Sequence, residues 1–536
     1  MPKKNFKKYE TMSPFELKNV LREMAYDGKK AYEQKNKCEI QILNAGRGNP
    51  NFLNTTARDA FCYLSLFATK LADSKLDSPD LGLRPEKDGI AKKFEKYLEK
   101  SHKNEAFNFL KKALNYATKE MKLDADSFIY EIADASLGDF YPSPPRIFPN
   151  TEKIVNKYLA TILSDGHKPA SGKFDLFATE GATAAMIYIF NSLKINKIIH
   201  EGDHIAIITP IFSPYLEIPM LKDFNLVEVF IKCDEEDGWQ ISDTEINKLK
   251  DKKIKALYLV NPTNPTSVSL SEKTLNKIAK VVQNQRKDLI ILTDTVYSTF
   301  VDGFHSLVEI IPQNTICVYS YSKFFGVTGW RLGVLMLHEN NIIDKKISKL
   351  PKKDILELNK RYSIAALTPE KIKFIDRVEM DSRDVALAHT GGLSGPQQCI
   401  MCLFSLFYLL DKERRYKKAI QAKLKKRVQS LYDNLELKFS QDPSNAYYYA
   451  LINIEKYAEQ KYGIKFATYL KNNFEMVDFL FRLAKEKFTI CLPGEGFAGP
   501  KWSLRVSLAN LNDADYITIG KNIKDVLSKY HKEWKK

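Results

Sequence analysis

The sequence predicts an α/β protein with a mainly parallel sheet of seven strands and a second, smaller α+β domain. The main observation is a series of short, almost continuously apolar runs separated by helix-like stretches. Strands that are buried on both faces show this pattern, and alternation with helices is typical of parallel sheets. The runs comprise residues 174–179, 204–209, 226–231, 254–260, 289–293, 315–319 and 332–337.

The segments on either side of these runs have a different pattern. Residues 14–32 and 92–122 read as helices, and charged helices with strand-like pieces at 447–454 and 503–507 follow residue 400. We therefore expect three parts. They are residues 1–150, the N-terminal part of the small domain with a helical insertion; 151–390, the large ligand-binding domain; and 391–536, the C-terminal part of the small domain.

The composition is that of an ordinary globular protein, with 44% hydrophobic and 28% charged residues among 536. The net charge of +16 comes from 82 Lys and Arg against 66 Asp and Glu, but the lysines are dispersed and no arginine-rich tract appears. We therefore expect no nucleic-acid partner. Neither a signal peptide nor an uncharged run of about 18 residues is visible, which predicts a cytoplasmic protein without a membrane span.

Seven scattered cysteines predict reduced thiols rather than a disulfide framework. Cys399 and Cys402 form a CxxC pair, but they lie in an apolar run with no second pair and no histidine at ligand spacing. Helix packing explains this pair, and we expect no metal site.

The segment with the most candidate catalytic and binding side chains follows the sixth apolar run, residues 315–319. It contains Ser320, Ser322 and Lys323, with Arg331 eight residues after the lysine. A desolvated lysine has a lowered pKa and can form a Schiff base with an aldehyde. Two hydroxyls and a guanidinium can hold a phosphate. A surface lysine near an unrelated arginine would explain either residue alone.

Three further segments also follow apolar runs, where ligands of parallel sheets bind. Asp294 can pair with a pyridinium nitrogen and Tyr297 can donate to a phenolic oxygen, although Asp294 alone also suits a helix cap. Asn264 lies in an Asn-Pro-Thr-Asn-Pro-Thr turn that turn formation alone would explain. Gly181 and Ala182 open a helix whose N-terminus can face a phosphate.

The order of these motifs resembles the fold-type I pyridoxal 5′-phosphate (PLP) enzymes of the aminotransferase class I family, over residues 150–340 and again at 504–509. The resemblance implies that Lys323 binds the cofactor and later moves a proton, and that Arg505 binds the substrate α-carboxylate. It also implies a cofactor site in which a neighbouring subunit supplies Tyr141. The implied cofactor-binding residues are Gly181, Ala182, Phe212, Asn264, Asp294, Tyr297, Ser320, Ser322, Lys323, Arg331 and Tyr141.

Within this family the chain is similar to the aspartate 4-decarboxylases. The similarity lies in two additional stretches, residues 54–141 and 339–389, and in segments 43–58 and 390–398. It implies β-decarboxylation of L-aspartate to L-alanine and CO₂, with transamination as a side activity. A dicarboxylic substrate needs a cation for its distal carboxylate, for which Arg47 and then Lys18 are candidates, while Gly48 could touch the α-carboxylate.

Three alternatives remain open. A plain aspartate or aromatic aminotransferase would need a keto acid and release no CO₂. A transcription regulator that senses an amine would need a DNA-binding module, and no helix-turn-helix pattern is visible in the first 150 residues. A catalytically silent scaffold would not need both Lys323 and Arg505. The family resemblance also implies a homo-oligomer, a dimer or an assembly of dimers.

Overall fold

The computed structural model describes residue 9 and residues 12–73, 80–99, 104–383 and 392–536. Its central sheet has eight strands in the order β2-β9-β8-β7-β6-β3-β4-β5. The strands are β2 (Phe174–Thr179), β3 (His204–Thr209), β4 (Val227–Asp234), β5 (Gln240–Ile241), β6 (Ile254–Val260), β7 (Ile290–Asp294), β8 (Thr315–Ser320) and β9 (Gly333–His338).

The prediction of a mainly parallel sheet is confirmed. Strands β8, β7, β6, β3 and β4 run parallel, while β9 is antiparallel to both β8 and β2. All seven predicted strands form within a few residues of the expected bounds. The two-residue β5 adds an eighth, antiparallel to β4.

Apolar cores on both faces of the sheet explain why its strands are continuously apolar. In β6, Ala256, Tyr258 and Val260 belong to one hydrophobic cluster, and Leu257 and Leu259 belong to another. Because successive side chains of a strand point to opposite faces, both faces must be covered.

Most of the other described residues form helices. They are α1 (Pro14–Asn36), α2 (Thr55–Asp73), α3 (Ile90–Leu98), α4 (Glu105–Asn115), α5 (Ala125–Leu137), α6 (Pro149–Leu163), α7 (Ala182–Ile195), α8 (Pro214–Glu217), α9 (Asp243–Asn247), α10 (Glu272–Asn284), α11 (Leu307–Ile310), α12 (Ile342–Ile347), α13 (Lys352–Tyr362), α14 (Phe374–Asp381), α15 (Gly395–Leu410), α16 (Arg415–Leu435), α17 (Ile454–Tyr462), α18 (Ile464–Asn473), α19 (Met476–Lys487) and α20 (Asp515–Lys535).

The two ends of the chain meet in one α+β unit. Helix α1 packs on α19, and the short strand β1 (Leu43–Asn44) pairs in parallel with β11 (Thr489–Ile490). A three-stranded antiparallel sheet lies beside them, with the order β10-β13-β12. Its strands are β10 (Tyr449–Asn453), β12 (Leu492–Pro493) and β13 (Ser503–Ser507), of which β10 and β13 correspond to the predicted strand-like pieces.

The additional helical stretch, residues 54–141, packs on helix α15. Its helices α2, α4 and α5 contact α15, as does α6 beyond the stretch, and Cys399 and Cys402 are buried in α15 as predicted. The single helix expected over 92–122 is wrong. Asn104 begins a separate helix, since its side chain accepts hydrogen bonds from the backbone N–H groups of Ala106 and Phe107, and a π-helical turn ends it at Tyr116–Glu120.

The second additional stretch contains α12, α13 and α14. Buried Asp381 fixes it to the large domain, because its carboxylate accepts hydrogen bonds from Ser192, Tyr362 and Arg361. Residues 384–391, which include Thr390 and Gly391 of the motif noted above, lie outside the described residues. The division at residues 150 and 390 stays a prediction. Within the described ranges, no helix combines the length and the apolar character needed to span a membrane.

Candidate active site

A cavity of about 300 Å³ lies at the carboxyl ends of the central strands. Strands β6, β7 and β8 end at Val260, Asp294 and Ser320, which all line it. The three-stranded antiparallel sheet contributes Tyr449 from β10 and Arg505 from β13. The other lining residues are Phe15, Gly48, Asn49, Ala182, Thr183, Phe212, Tyr215, Asn264, Val296, Tyr297, Ser322, Lys323, Thr328 and Arg331.

Lys323 projects its amine into this cavity. Nζ donates a 3.0 Å hydrogen bond to the Gly48 carbonyl, which also accepts one from Tyr448 Oη at 2.8 Å. Burial lowers the pKa of the lysine, and the nearby positive charge of Arg505 acts in the same direction. A lowered pKa increases the fraction of unprotonated amine, which is the nucleophilic and basic form.

Glycine is required at position 48 because the cavity wall is close. A Cβ added there would lie 2.8 Å from Tyr449 Oη and 3.2 Å from Lys323 Nζ. The Gly-Arg-Gly segment, residues 46–48, therefore brings its backbone against the Lys323 amine.

Asp294 lies buried at the floor of the cavity. Its Oδ2 accepts a 2.7 Å hydrogen bond from Tyr215 Oη, and its Oδ1 accepts one from the Val296 N–H at 2.9 Å. Burial raises the pKa of this carboxyl to about 6, although both hydrogen bonds favour the ionised form. A buried carboxylate of this kind is suited to pairing with a cation that enters the cavity.

Arg505 lies on β13 and is 1% exposed. Its Nη1 donates to Asn264 Oδ1 at 2.9 Å and its Nη2 donates to the Gly46 carbonyl at 3.0 Å. Its guanidinium lies between the rings of Tyr449 and Phe497, at 4.3 and 4.7 Å from their centroids. Nε makes no hydrogen bond within the described residues, so a buried donor remains for a ligand. Since Asn264 turns its Oδ1 to Arg505, its amide N–H groups are left to donate.

The opposite end of the cavity is suited to a phosphate. Gly181, with φ of 98°, precedes the first residue of α7, Ala182. A Cβ at Gly181 would collide with the Arg331 guanidinium, whose Nη2 donates to the Glu180 carbonyl at 3.1 Å. Ser320 Oγ and Ser322 Oγ lie 2.9 Å apart. Helix N–H groups, two hydroxyls and an arginine thus converge at one place.

Aromatic side chains form the walls, and several were not singled out from the sequence. Phe212 lines the cavity with its ring edge-on to Tyr215, and Tyr297 Oη donates to Tyr449 Oη at 3.1 Å. Tyr215 and Tyr449 were missed because a tyrosine in an apolar run normally reads as core packing. Phe15 of α1 was missed because no local pattern links α1 to the sheet.

Four predicted residues lie outside the cavity wall: Gly181, which directly precedes the lining residue Ala182, and Lys18, Arg47 and Tyr141. Lys18 is half-buried on α1, and its pKa is lowered by burial first and then by the charges of Arg47, Arg22 and Arg505. Arg47 is exposed, between two glycines that contact the site residues. Tyr141 is 63% exposed and does not line the cavity of its own chain, a placement compatible with the predicted contact to a neighbouring subunit.

These groups fit PLP. The cofactor requires an amine for its aldehyde, an anion for its ring nitrogen and a phosphate site, and the cavity offers them in Lys323, Asp294 and the end at Gly181 and Arg331. Arg505 Nε has no hydrogen-bond partner among the described residues, and the backbone at Gly48 lies close to the Lys323 amine. The remaining space of the cavity therefore suits a substrate carboxylate.

Comparison with known proteins agrees with this geometry. The family model "Aminotransferase class I and II" matches residues 144–519. A Pseudomonas protein named "Bifunctional aspartate aminotransferase and L-aspartate beta-decarboxylase" is 42% identical over 536 residues, which is 99% of each chain. An aspartate aminotransferase from Sulfolobus acidocaldarius is 30% identical over 36% of this chain and 47% of its own.

Solved structures show the same fold at much lower identity. An aromatic aminotransferase from Pyrococcus horikoshii superposes with a TM-score of 0.58 at 17% identity, over 91% of this chain and 96% of its own. An aspartate aminotransferase from Thermotoga maritima gives 0.57 at 17% identity, over 95% and 97%. The chain is therefore a PLP-dependent enzyme that belongs to the class I and II aminotransferases.

Proposed function

We propose that the enzyme removes the β-carboxylate of L-aspartate to give L-alanine and CO₂, and that it also transaminates aspartate. The observation that supports this most strongly is the 42% identity to a bifunctional aminotransferase and decarboxylase over the full length. That alignment spans both additional stretches, residues 54–141 and 339–389, which were associated with decarboxylases at the outset.

PLP, when bound, supplies an aldehyde for the substrate amine and a ring that accepts electrons. In this proposal Lys323 holds the cofactor, while Asp294 keeps a proton on the ring nitrogen. Gly181, Ala182, Ser320, Ser322 and Arg331 bind the phosphate, together with Tyr141 of the partner subunit, and Phe212 covers the ring. Asn264 and Tyr297 donate to the phenolic oxygen.

The substrate is bound through its two carboxylates. Arg505 binds the α-carboxylate, since its planar guanidinium is buried and has an Nε donor available. Gly48 lets the backbone approach the same group. Arg47, with Lys18 beside it, attracts the distal carboxylate at the mouth of the cavity.

Lys323 moves the protons. Its amine takes the proton from the substrate Cα, and its lowered pKa suits this task near neutral pH. Loss of CO₂ then breaks the Cβ–Cγ bond and leaves the electron pair on Cβ, which must be protonated. In the overall reaction, aspartate and one proton give alanine and CO₂.

The assembly and location of the enzyme complete the proposal. We infer a cytoplasmic homo-oligomer, a dimer or an assembly of dimers, whose partners are small molecules rather than nucleic acid or membrane. The exposed Tyr141 is the residue through which one subunit would complete the site of another.

The experiment determines which carboxylate of aspartate is released as CO₂. Holoenzyme is incubated with L-aspartate labelled at C4 or, separately, at C1, with Lys323→Ala as the control. The proposal predicts labelled CO₂ from the C4 substrate only, and none from the variant. Labelled CO₂ from the C1 substrate would indicate α-decarboxylation instead. No labelled CO₂ from either substrate would exclude β-decarboxylation and favour a plain aminotransferase.

A further inference from the structure

Two histidines and a glutamate meet on the surface of the large domain, outside the active site. His167 follows α6, His305 precedes α11, and Glu309 lies within α11. Candidate ligand atoms of the three residues all lie within 4.8 Å of one another. We propose that this cluster, the His167–His305–Glu309 cluster, binds a divalent transition-metal ion such as Zn²⁺.

The spacing of two members already suits a metal. His305 Nδ1 and Glu309 Oε2 are 3.4 Å apart. Zn²⁺ bonds to nitrogen and oxygen are about 2.0–2.2 Å long, so ligand atoms of a tetrahedral site are about 3.4 Å apart. His167 is exposed and can rotate to close the remaining gap. Water would occupy the fourth position, as in other three-ligand sites.

A carboxylate lies near the second ring nitrogen of His305, just beyond hydrogen-bond distance. This nitrogen, Nε2, lies 3.8 Å from Glu272 Oε2. Ligating histidines almost always direct their second ring N–H at a carboxylate, carbonyl or water, which fixes the ring. Glu309 Oε2 is buried and makes no hydrogen bond to another described residue, and a metal ion would satisfy it.

A simple ion pair explains the cluster less completely. An i, i+4 pair between His305 and Glu309 accounts for one imidazole beside one carboxylate. It gives no role to His167, whose candidate ligand atom lies within 4.8 Å of those of both partners. The rings of His167 and His305 also pack against each other, with centroids 3.5 Å apart, and the exposed His167 would turn out of this contact to bind the ion.

Two basic residues near the cluster are paired with Asp165 rather than with Glu309. Asp165 lies 3.0 Å from Lys417 Nζ and 3.4 Å from Arg414 Nη2. The sequence predicted no metal site because the two histidines stand 138 positions apart (305 − 167), far from any ligand motif. Only the packing of α6 against the loop before α11 brings them together.

The test is calorimetric titration of metal-stripped, full-length holoenzyme with ZnCl₂. All proteins carry Cys38→Ser and Cys62→Ser, since these two exposed thiols could bind zinc themselves. The variants are His167→Ala, His305→Ala and Glu272→Gln, and the matched control is His200→Ala, an exposed histidine outside the cluster. Thermal melts with and without zinc provide a second readout.

We expect one Zn²⁺ per chain in the parent and in His200→Ala. Affinity should fall by about 100-fold or more without either histidine, and by about 10-fold in Glu272→Gln. Zinc should raise the Tm of the parent but not of His167→Ala, an exposed position where truncation leaves the fold intact. Absence of binding by the parent, or equal binding by parent and His167→Ala, would overturn the proposal.

Discussion

Tyr215 Oη donates a 2.7 Å hydrogen bond to Asp294 Oδ2 at the floor of the active-site cavity. Both side chains are buried, and the pKa of Asp294 is raised to about 6 by that burial. A hydrogen bond to the ionised form opposes this rise. Tyr215 therefore helps to keep Asp294 negative at neutral pH, which its proposed pairing with the ring nitrogen requires.

Tyr215→Phe removes this hydrogen bond and should raise the pKa of Asp294 further. A hydrogen bond to a charged group is worth about 1.5–3 kcal/mol, so kcat/KM should fall by about 10- to 100-fold. The acidic limb of the pH–rate profile should move to higher pH. Tyr158→Phe, another buried tyrosine but outside the cavity, serves as the control. An unmoved acidic limb would contradict the role given to Tyr215.

Asp294→Asn should inactivate the enzyme yet stabilise the apoenzyme. The folded-state pKa of about 6 lies above the ordinary value of 3.8 for this carboxyl, so the folded chain holds this proton more tightly than the unfolded chain. Stability from this source is present below pH 4 and is lost as pH rises through 6, at a cost of up to about 3 kcal/mol. Urea melts of apoenzyme should show a gain for Asp294→Asn at pH 8 that disappears near pH 4. An equal gain at both pH values would refute this linkage.

Arg505→Lys tests the α-carboxylate site. Lysine retains the charge but cannot supply a planar pair of donors, and it loses the bonds to Asn264 and Gly46. We expect kcat/KM for aspartate to fall by about 100-fold or more, with the cofactor absorbance spectrum retained. Steady-state kinetics and the spectrum measure the two effects separately. Near-normal kinetics would move the carboxylate site elsewhere.

Arg47→Ala and Lys18→Ala identify the ligand of the distal carboxylate. Each should weaken aspartate binding by about 10-fold or more if it forms that contact, and leave the half-reaction with alanine, which has no second carboxylate, nearly unchanged. Single-turnover absorbance changes with the two amino acids provide the comparison. Lys30→Ala, exposed on the same helix as Lys18, is the control. An equal loss of affinity for aspartate and alanine would show that these cations do not bind the distal carboxylate.

The sheet could be predicted because β6, β7, β8 and β9 are buried on both faces, and such burial leaves a run of apolar residues. The strand β4 is mostly exposed or half-buried, and the two-residue β5 beside it was not predicted. Lys323, Asp294, Asn264 and Arg331 could be identified because each stands at a fixed place after such a run. Tyr215 and Tyr449 could not be identified, because the role of each hydroxyl depends on a hydrogen-bond partner that is distant in the sequence. The break at Asn104 was missed although residues 99–105 are all polar, because the apolar pattern resumes at Ala106 and the N-cap role of Asn104 was not recognised.

The most direct test of the central claim counts product. Holoenzyme at known concentration receives excess L-aspartate and no keto acid, and alanine and oxaloacetate are measured over time. The account predicts many equivalents of alanine per active site, with only a trace of oxaloacetate. Oxaloacetate that stops near one equivalent until a keto acid is added, with no alanine, would contradict decarboxylation while leaving the fold and the cofactor site in place.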